Sequence, residues 1–551
     1  MWTVVSGSIW THVLRCVVQH GANVPMSPRV LIADQLSPAA VGIFKEHRIA
    51  TDVRVGLPKE ELEAIIGEYD GLAVRSATRV TEKVLAAAKK LRVVGRAGIG
   101  VDNIDVKAAT AKGVIVMNTP FGNSITTAEH TISLMMALAR QIPEADRSTQ
   151  AGKWEKSRFM GVELYAKTLG VVGCGNIGSI VADRAIGLRM KVVAYDPFLS
   201  PERALELGVE KVELNELLRR ADFITLHTPL TDKTRNIIDG GALLKTRKGV
   251  RIINCARGGL VDESALAVAL NSGQVGGAAF DVFEVEPPKN SPLLGLPNVI
   301  CTPHLGAATS EAQENVALQV AEQMSDYLLK GAISNAVNFP NISAEEAPRL
   351  KPWVKLSEQL GLFAGQLTET SIKGVRLEYS GEVATLNTKP LTAAALAGVL
   401  RPLLSEVNMV SAAANAKERG IQLEEVTRGQ KGAFESYIRL TVKTDEYDRS
   451  VAGTVFSDGR PRIIQVRDID MEFELAPRML FVRNQDKPGF IGKFGTLMGQ
   501  AGLNIATLNL GRDKPGGEAI CIVAVDEPVP DEVIAKVKAL PQVKRVNRLE
   551  F

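Results

Sequence analysis

Cysteine, histidine and aromatic residues are all scarce in this chain. Its 551 residues hold five cysteines and six histidines, and aromatics make up 5%. The cysteines (Cys16, Cys174, Cys255, Cys301, Cys521) stand far apart with no CxxC pair, which excludes a disulfide-stapled scaffold and a zinc knuckle. A reducing, cytoplasmic setting and no bound metal are expected. No apolar run reaches the ~18 residues of a membrane-spanning helix, so no membrane association is expected. No block of one charge sign occurs either: 65 lysines and arginines balance 62 acids at a net charge of +3, so a nucleic-acid partner is not expected.

What is present is an ordinary globular composition, 45% hydrophobic and 23% charged. At about 150 residues per domain the length predicts three or four domains. The first 27 residues lack an AxA-like cleavage site and the bias of an organellar presequence. They read either as a disordered extension or as sequence upstream of a start near Met26.

From Pro28 onward, valine- and isoleucine-rich runs alternate with helical-period segments: "RVLIAD", "DGLAVRS", "RVVGRAG", "KTLGVVGCG", "MKVVAYD", "DFITLH", "GVRIINCA" and "QVGGAAFDVF". Strands separated by single helices predict βαβ units and parallel, doubly wound sheets, whose ligands sit beyond the strands' carboxyl ends. The residues just after each run therefore carry the interest.

The strongest motif is "TLGVVGCGNIGSIVADRAI" (168–186), where a strand runs into Gly173, Gly175 and Gly178 and then a helical pattern. This GxGxxG stands in its dinucleotide-binding context: tight turn, close backbone approach to a pyrophosphate, and helix-start amides to hold it. The next strand ends in "VVAYDP", placing Asp196 18 residues beyond Gly178, where a carboxylate takes the ribose hydroxyls and repels a 2′-phosphate. NAD is favoured over NADP.

Some 140 residues precede that motif with a βα pattern of their own, so a second domain is built first. The helical pattern from Thr127 reads as the crossover into the NAD domain, and "SEAQENVALQVAEQMSDYLLK" as the return. A cleft between the two domains would hold the substrate. Hydride transfer there needs a proton carrier. Among the histidines, His47 and His130 lie within helical patterns, while His227 and His304 follow strands. His304, in "NVICTPHLG", has an acidic partner available in Glu286 of "FDVFEVEPP". A carboxylate on one imidazole nitrogen sets the tautomer and favours the imidazolium formed when the other takes a proton. On pattern alone, a cofactor-facing His304 with no proton role stays open.

Arg257 in "NCARGGLVDE", Glu286 in "DVFEVEPP" and His304 in "PHLGAAT" together resemble the signature of the D-2-hydroxyacid dehydrogenase family. Within it the long-form phosphoglycerate dehydrogenases are most similar, over nearly the whole chain from Pro28. The resemblance implies that Arg257 anchors the substrate, His304 is the general acid/base and Glu286 is its partner, with 3-phosphoglycerate as substrate and serine synthesis as context. It implies cofactor contacts at Gly173, Gly175, Asn176, Ile177, Gly178, Asp196, Thr228, Cys255, Arg257, Asp281, His304 and Gly306. It implies substrate contacts at Arg75, Ser76, Arg96, Gly98, Arg257 and His304. Ile99 stands where the family often carries threonine. Trp154 resembles a tryptophan that packs into a neighbouring subunit, so a homodimer or homotetramer is expected.

The resemblance divides the chain into a flavodoxin-like substrate domain (28–119 and 307–332), an inserted Rossmann domain (120–306), an α+β intervening domain (333–475) and an ACT domain (476–551). The last unit reads strand, helix, strand, strand, helix, strand, which is the ferredoxin-like order. By resemblance it binds an amino acid between subunits, with Asp486 and Asn504 on L-serine as feedback effector. Asn484 stands where relatives carry histidine or tyrosine. Arg460 and Arg462 are basic residues of the intervening domain whose ligand is left open. Two rival readings share the three-residue signature: a hydroxypyruvate or glyoxylate reductase, and a non-enzymatic NAD sensor.

Overall fold

The computed structural model describes residues 27–404, 407–429 and 435–551; all of the expected extension but Ser27 lies outside them. The first β-rich runs form β1 (Arg29–Ile32), β2 (Ala50–Val53), β3 (Gly71–Val74), β4 (Val93–Arg96) and β5 (Ile115–Met117). All pair in parallel, in the order β2-β1-β3-β4-β5. This is the flavodoxin-like order, and it opens a crevice between β1 and β3.

The second sheet holds β6 (Thr168–Val172), β7 (Lys191–Tyr195), β8 (Glu210–Lys211), β9 (Phe223–Leu226), β10 (Val250–Asn254), β11 (Val275–Phe280) and β12 (Val299–Cys301). Its order, β12-β11-β10-β9-β6-β7-β8, is wholly parallel and reverses between β6 and β9. That reversal is the dinucleotide switch point of the Rossmann fold. Strands buried on both faces explain the unbroken apolar runs, such as Phe223–Leu226 with every residue buried.

The helix Ser124–Arg140 packs Ala128, Met135 and Leu138 into the core of the second sheet. The helix Ser310–Lys330 instead buries Val316, Val320 and Met324 against Val30, Ile32 and Val93 of the first sheet. It starts at Thr309, whose hydroxyl accepts from the Ala312 amide at 3.2 Å, and stops at Gly331 in the left-handed region. The chain thus crosses once into the second sheet's layer and returns, leaving a cleft between the two sheets' carboxyl ends.

One segment differs from the sequence-based division. Residues 336–338, expected in the next domain, run along β5: Met117 bridges Ala336 in antiparallel fashion, the Val337 amide donates to the Val116 carbonyl, and Asn338 accepts from the Val116 amide. The edge of a parallel sheet leaves backbone groups unpaired, and this segment covers them.

Beyond it, β13 (Ile372–Gly381), β14 (Gln422–Arg428), β15 (Ser436–Thr444), β16 (Arg449–Val455), β17 (Pro461–Val466) and β18 (Ile469–Phe473) form a mixed sheet ordered β14-β13-β15-β16-β17-β18. The helix Glu346–Gln366 packs on it. The last sheet, β19 (Arg478–Gln485), β20 (Ile505–Arg512), β21 (Glu518–Val525) and β22 (Val543–Glu550), is antiparallel and ordered β20-β21-β19-β22. With helices Phe490–Gln500 and Asp531–Lys538 it is ferredoxin-like. No helix among the described residues is long and apolar enough to cross a membrane.

Candidate active site

The glycine turn after β6 divides its labour among three positions. Gly173 lies at φ +90°, and a Cβ there would stand 2.6 Å from the His227 carbonyl oxygen. A Cβ at Gly178 would stand 2.0 Å from the Gly173 carbonyl oxygen, whereas one at Gly175 would meet nothing within 4 Å. Two glycines thus close the turn, and the third leaves an open approach to the start of helix Asn176–Gly187, whose first amides have no intrahelical partner. Asn176 is exposed there, and Ile177 packs partly against the core. Asp196, after β7, accepts from the Cys174 amide at 2.9 Å and from the Phe198 amide at 2.8 Å, which fixes its carboxylate beside the turn. An open anion cradle with a carboxylate at the next strand end fits an adenosine dinucleotide.

After β9, the His227 ring bonds Thr225 Oγ1 through Nε2 at 2.9 Å, and its Nδ1 is buried without a partner. Burial alone pushes its pKa down to about 3, which disfavours the protonated ring. Thr228 follows it, half-buried. Cys255, expected at the cofactor, turns its thiol into the core beneath the helix Ser124–Arg140, and burial raises it to about 12. Only its backbone is left to face a ligand.

His304 sits after β12 at φ +56°, more than half exposed, with Nδ1 2.8 Å from Glu286 Oε2. The Glu286 carboxyl is partly buried, which disfavours its charge, but the His304 bond and charge outweigh this and hold it below the ordinary carboxylate range. Asp281, also expected at the cofactor, is fully buried. It accepts from the Leu305 amide at 2.7 Å, the Gly306 amide at 2.8 Å and the Thr302 hydroxyl at 2.6 Å, while His130 Nε2 lies 3.2 Å away. Its oxygens face the loop that carries His304, and its backbone carbonyl accepts from the His304 amide at 2.9 Å. Asp281 therefore locks the loop whose left-handed turn presents the imidazole. Gly306 belongs to the same lock, its carbonyl accepting from Thr127 at 2.8 Å.

Arg257 follows β10 and reaches across the cleft. Its Nε is 3.0 Å from Asp102 Oδ2 and its Nη1 is 2.6 Å from the Ala256 carbonyl oxygen, which leaves Nη2 toward the loop after β4. A Cβ at Gly100 would stand 1.8 Å from that Nη2. Nothing in "GIGVDNID" signals that Asp102 has a partner 155 residues away.

Arg96 ends β4 beside it. Its Nε is buried without a partner, and Nη1 finds only the Ala97 carbonyl oxygen, 3.2 Å away. Burial first, then the charges of Arg257 and Arg75, push its pKa down to about 10. The three arginines therefore share one field. A guanidinium left short of partners in such company is suited to an incoming anion. Arg75 follows β3 in a loop pinned by Asp34, which accepts from the Arg75 amide at 2.6 Å and the Thr78 amide at 3.1 Å. Asn103 donates to the Arg75 carbonyl at 2.7 Å. Ser76 is exposed in that loop. Gly98, expected at the substrate, has its amide 2.6 Å from Thr119 Oγ1 and its carbonyl 3.0 Å from the Thr119 amide, so its backbone shapes the loop.

The two expected effector residues do not meet within one chain. Asp486 follows β19 at the Glu518 end of the last sheet and accepts from Arg512 at 2.8 Å. Asn504 precedes β20 at the Val525 end and donates to Asp526 at 2.6 Å. An eight-residue strand separates them, about 25 Å at ~3.3 Å per residue. Asn484 is buried, with Nδ2 3.1 Å from the Gln485 carbonyl oxygen. Trp154 is 84% exposed.

Residues 132–306 match the family described as "D-isomer specific 2-hydroxyacid dehydrogenase, NAD binding domain". Residues 349–467 match the "D-3-phosphoglycerate dehydrogenase intervening domain", and residues 478–542 match the "ACT domain". A D-3-phosphoglycerate dehydrogenase of Methanocaldococcus jannaschii is 45% identical over 94% of this chain and 99% of its own. One from a Synechocystis strain is 44% identical over 92% of each chain. Among solved structures, a glyoxylate reductase from Paecilomyes thermophila superposes with a TM-score of 0.53 at 30% identity, covering 57% of this chain and 98% of that one. A D-lactate dehydrogenase from Aquifex aeolicus, complexed with NAD and lactic acid, does so at 0.50 and 27%, covering 57% and 100%. The solved relatives thus cover the two parallel-sheet domains.

Proposed function

The chain belongs to the D-3-phosphoglycerate dehydrogenase family and oxidises D-3-phosphoglycerate to 3-phosphohydroxypyruvate with NAD, and we propose that Arg257, His304 and Glu286 carry out that reaction in the cleft. NAD, held by the glycine turn after β6 and by Asp196, would supply the hydride acceptor for C2. Arg257 Nη2 takes the substrate carboxylate, held in aim by Asp102 on Nε and the Ala256 carbonyl on Nη1. A guanidinium stays charged and grips a carboxylate through directed bonds, which fixes the C–H toward the nicotinamide face. His304 Nε2 receives the C2 hydroxyl proton, and Glu286 on Nδ1 stabilises the imidazolium that results. Arg96 and Arg75 hold the phosphate at the other end.

The observation that carries this reading is the buried, unpartnered Arg96 Nε in the shared field of Arg257 and Arg75. A small unphosphorylated 2-hydroxy acid needs one cation for its carboxylate, and this cleft supplies three. An NADH-oxidation assay tests it, with 3-phosphohydroxypyruvate set beside glyoxylate and hydroxypyruvate. Preference for the phosphorylated acid is expected. Preference for either unphosphorylated acid would make the chain a reductase of the same fold, and no turnover of any would make it a sensor.

The reaction opens the phosphorylated route to serine, and L-serine is the proposed feedback effector. Because Asp486 and Asn504 lie at opposite ends of β20, a serine site needs two copies. Two β20 edges paired antiparallel would bring Asp486 of one copy to Asn504 of the other, which is the proposed dimer contact of the last sheet. The exposed Trp154 marks a second proposed contact, so that a homotetramer in the cytoplasm is the proposed assembly. Serine titrated against the NADH assay, with sedimentation of the same sample, tests both.

A further inference from the structure

The turn that carries Arg257 and the segment that carries Glu286 meet at one peptide group. A Cβ at Gly258 would stand 1.8 Å from the Phe283 carbonyl oxygen and 2.6 Å from the Glu284 nitrogen, so the Arg257 turn packs directly on the Phe283–Glu284 peptide. Phe283 is anchored in the apolar core with Leu260 and Leu266, and its amide donates to Glu286 Oε1 at 3.2 Å. The other oxygen of Glu286 is the one on His304.

Glu263 holds the same peptide. It opens the helix Glu263–Asn271, which Asp262 caps by accepting from the Ala265 amide at 2.9 Å, and it is buried. Its Oε1 accepts from the Glu284 amide at 2.8 Å and its Oε2 from the Ser291 hydroxyl at 2.5 Å. One carboxylate thus ties both ends of residues 284–291. Phe283 and Leu293 sit in the same core, but residues 284–287 between them are exposed and have no apolar burial to fix them. Burying a carboxylate on two neutral donors is costly, and the first turn of a helix offsets only part of that cost. Burial, then the charge of Glu263, raise the Cys301 thiol, which puts the same carboxylate near the end of β12, the strand that leads to His304.

We propose that Glu263 is a positioning residue for the dehydrogenase reaction. By holding the Phe283–Glu284 peptide against Gly258 and closing the segment 284–291, it sets Glu286 at bonding distance from His304 and in register with the Arg257 turn. The proposal rests on the proton role given above to His304 and Glu286. Both of those side chains are more than a third exposed, so their 2.8 Å contact competes with water and persists only where the loop delivers the carboxylate already placed.

Steady-state NADH absorbance against pH, in both directions and on the full chain, tests the proposal. Besides His304, the charged group acting on Glu286 is Asp281, and every variant below leaves Asp281 in place. Glu263→Ala is expected to lower kcat for reduction of 3-phosphohydroxypyruvate about tenfold, with a smaller change in KM and NADH affinity retained. It is expected to move the acid limb of oxidation and the alkaline limb of reduction down, the direction that follows when the imidazolium loses its anion. Glu263→Gln keeps an acceptor for the Glu284 amide and a partner for Ser291, so it is expected to restore the parent profile. An unmoved profile in Glu263→Ala overturns the proposal. A shift in Glu263→Gln as large as in Glu263→Ala overturns it too, because the effect is then charge at a distance. In a Glu286→Gln background, Glu263→Ala is expected to move the limbs no further, and a further shift equal to that in the parent overturns the proposal. Ser291→Ala deletes one of the two bonds and decides the matter if Glu263→Ala does not fold: a smaller shift in the same direction is expected, and none overturns the proposal. Limbs left in place by Glu286→Gln alone refute the proton role and this proposal together. Limbs that move with Glu286→Gln but not with Glu263→Ala refute this proposal alone.

Discussion

Replacing Glu286 by glutamine isolates the charge of the His304 partner from its geometry. The amide oxygen of glutamine can still accept from Nδ1 across the 2.8 Å contact, so the ring keeps its tautomer and direction. What is lost is the anion that favours imidazolium. A charge-assisted hydrogen bond is worth roughly 1.5–3 kcal/mol. Both side chains are more than a third exposed, so solvent screening reduces this to about 1–1.5 kcal/mol. At 1.36 kcal/mol per unit, the pH profile should move by about one unit.

The direction follows from which form each reaction needs. Oxidation needs a neutral imidazole to receive the proton, and without the anion that form persists to lower pH, so the acid limb moves down. Reduction needs the imidazolium as donor, so its alkaline limb moves down as well. Glu286 itself has a depressed pKa, so its pairing is present above the ordinary carboxylate pKa and is lost as the pH falls through the depressed value. The native profile therefore retains the pair throughout the neutral range. Turnover at neutral pH should fall about tenfold in reduction, where the donor form is depleted. The assay is steady-state NADH absorbance in both directions from about pH 5 to 9, with NADH affinity from fluorescence as control. Limbs that do not move, or that move in opposite directions, would refute the proton role of the pair.

Arg257→Lys keeps the charge but loses the Asp102 and Ala256 contacts together, so kcat/KM for 3-phosphohydroxypyruvate should fall about 100-fold, roughly 2.7 kcal/mol, with NADH affinity unchanged. Equal kinetics would remove the directed fork from the mechanism. In the glycine turn, Gly178→Ala must displace a carbonyl 2.0 Å from its new Cβ, whereas Gly175→Ala meets nothing. The first should lower the melting temperature by several degrees and the second only weaken NADH binding; the reverse order would contradict the division of labour. Arg96→Gln should raise KM for the phosphorylated substrate at least tenfold while changing that for hydroxypyruvate less, and an equal loss for both would place Arg96 on the carboxylate.

The strands and the dinucleotide turn were legible because each depends on local pattern, and the contact of Glu286 with His304 was legible from the two strand-end motifs that carry them. An apolar run buried on both faces must be a strand in a layered fold, and GxGxxG followed by an acid at the next strand end has a short-range geometric cause. The ferredoxin-like order of the last unit was legible for the same reason. The run of residues 336–338 along β5 was not legible, since covering an edge strand leaves no mark in composition.

What only the tertiary structure decided are relations between charges brought together from distant segments. Asp102 meets Arg257 across 155 residues, Arg96 Nε is buried without a partner, and Asp281 locks the loop that carries His304. Asp486 and Asn504 are expected on one ligand from sequence and stand at opposite ends of the sheet in space, because β19 and β20 both pair antiparallel with β21 and so run parallel, which puts the end of one and the start of the other far apart. Hydrophobic periodicity is a local property and can be read along the chain. Partnering of buried charge is a property of the packed whole, set by whatever remote atoms the fold brings within a few ångströms.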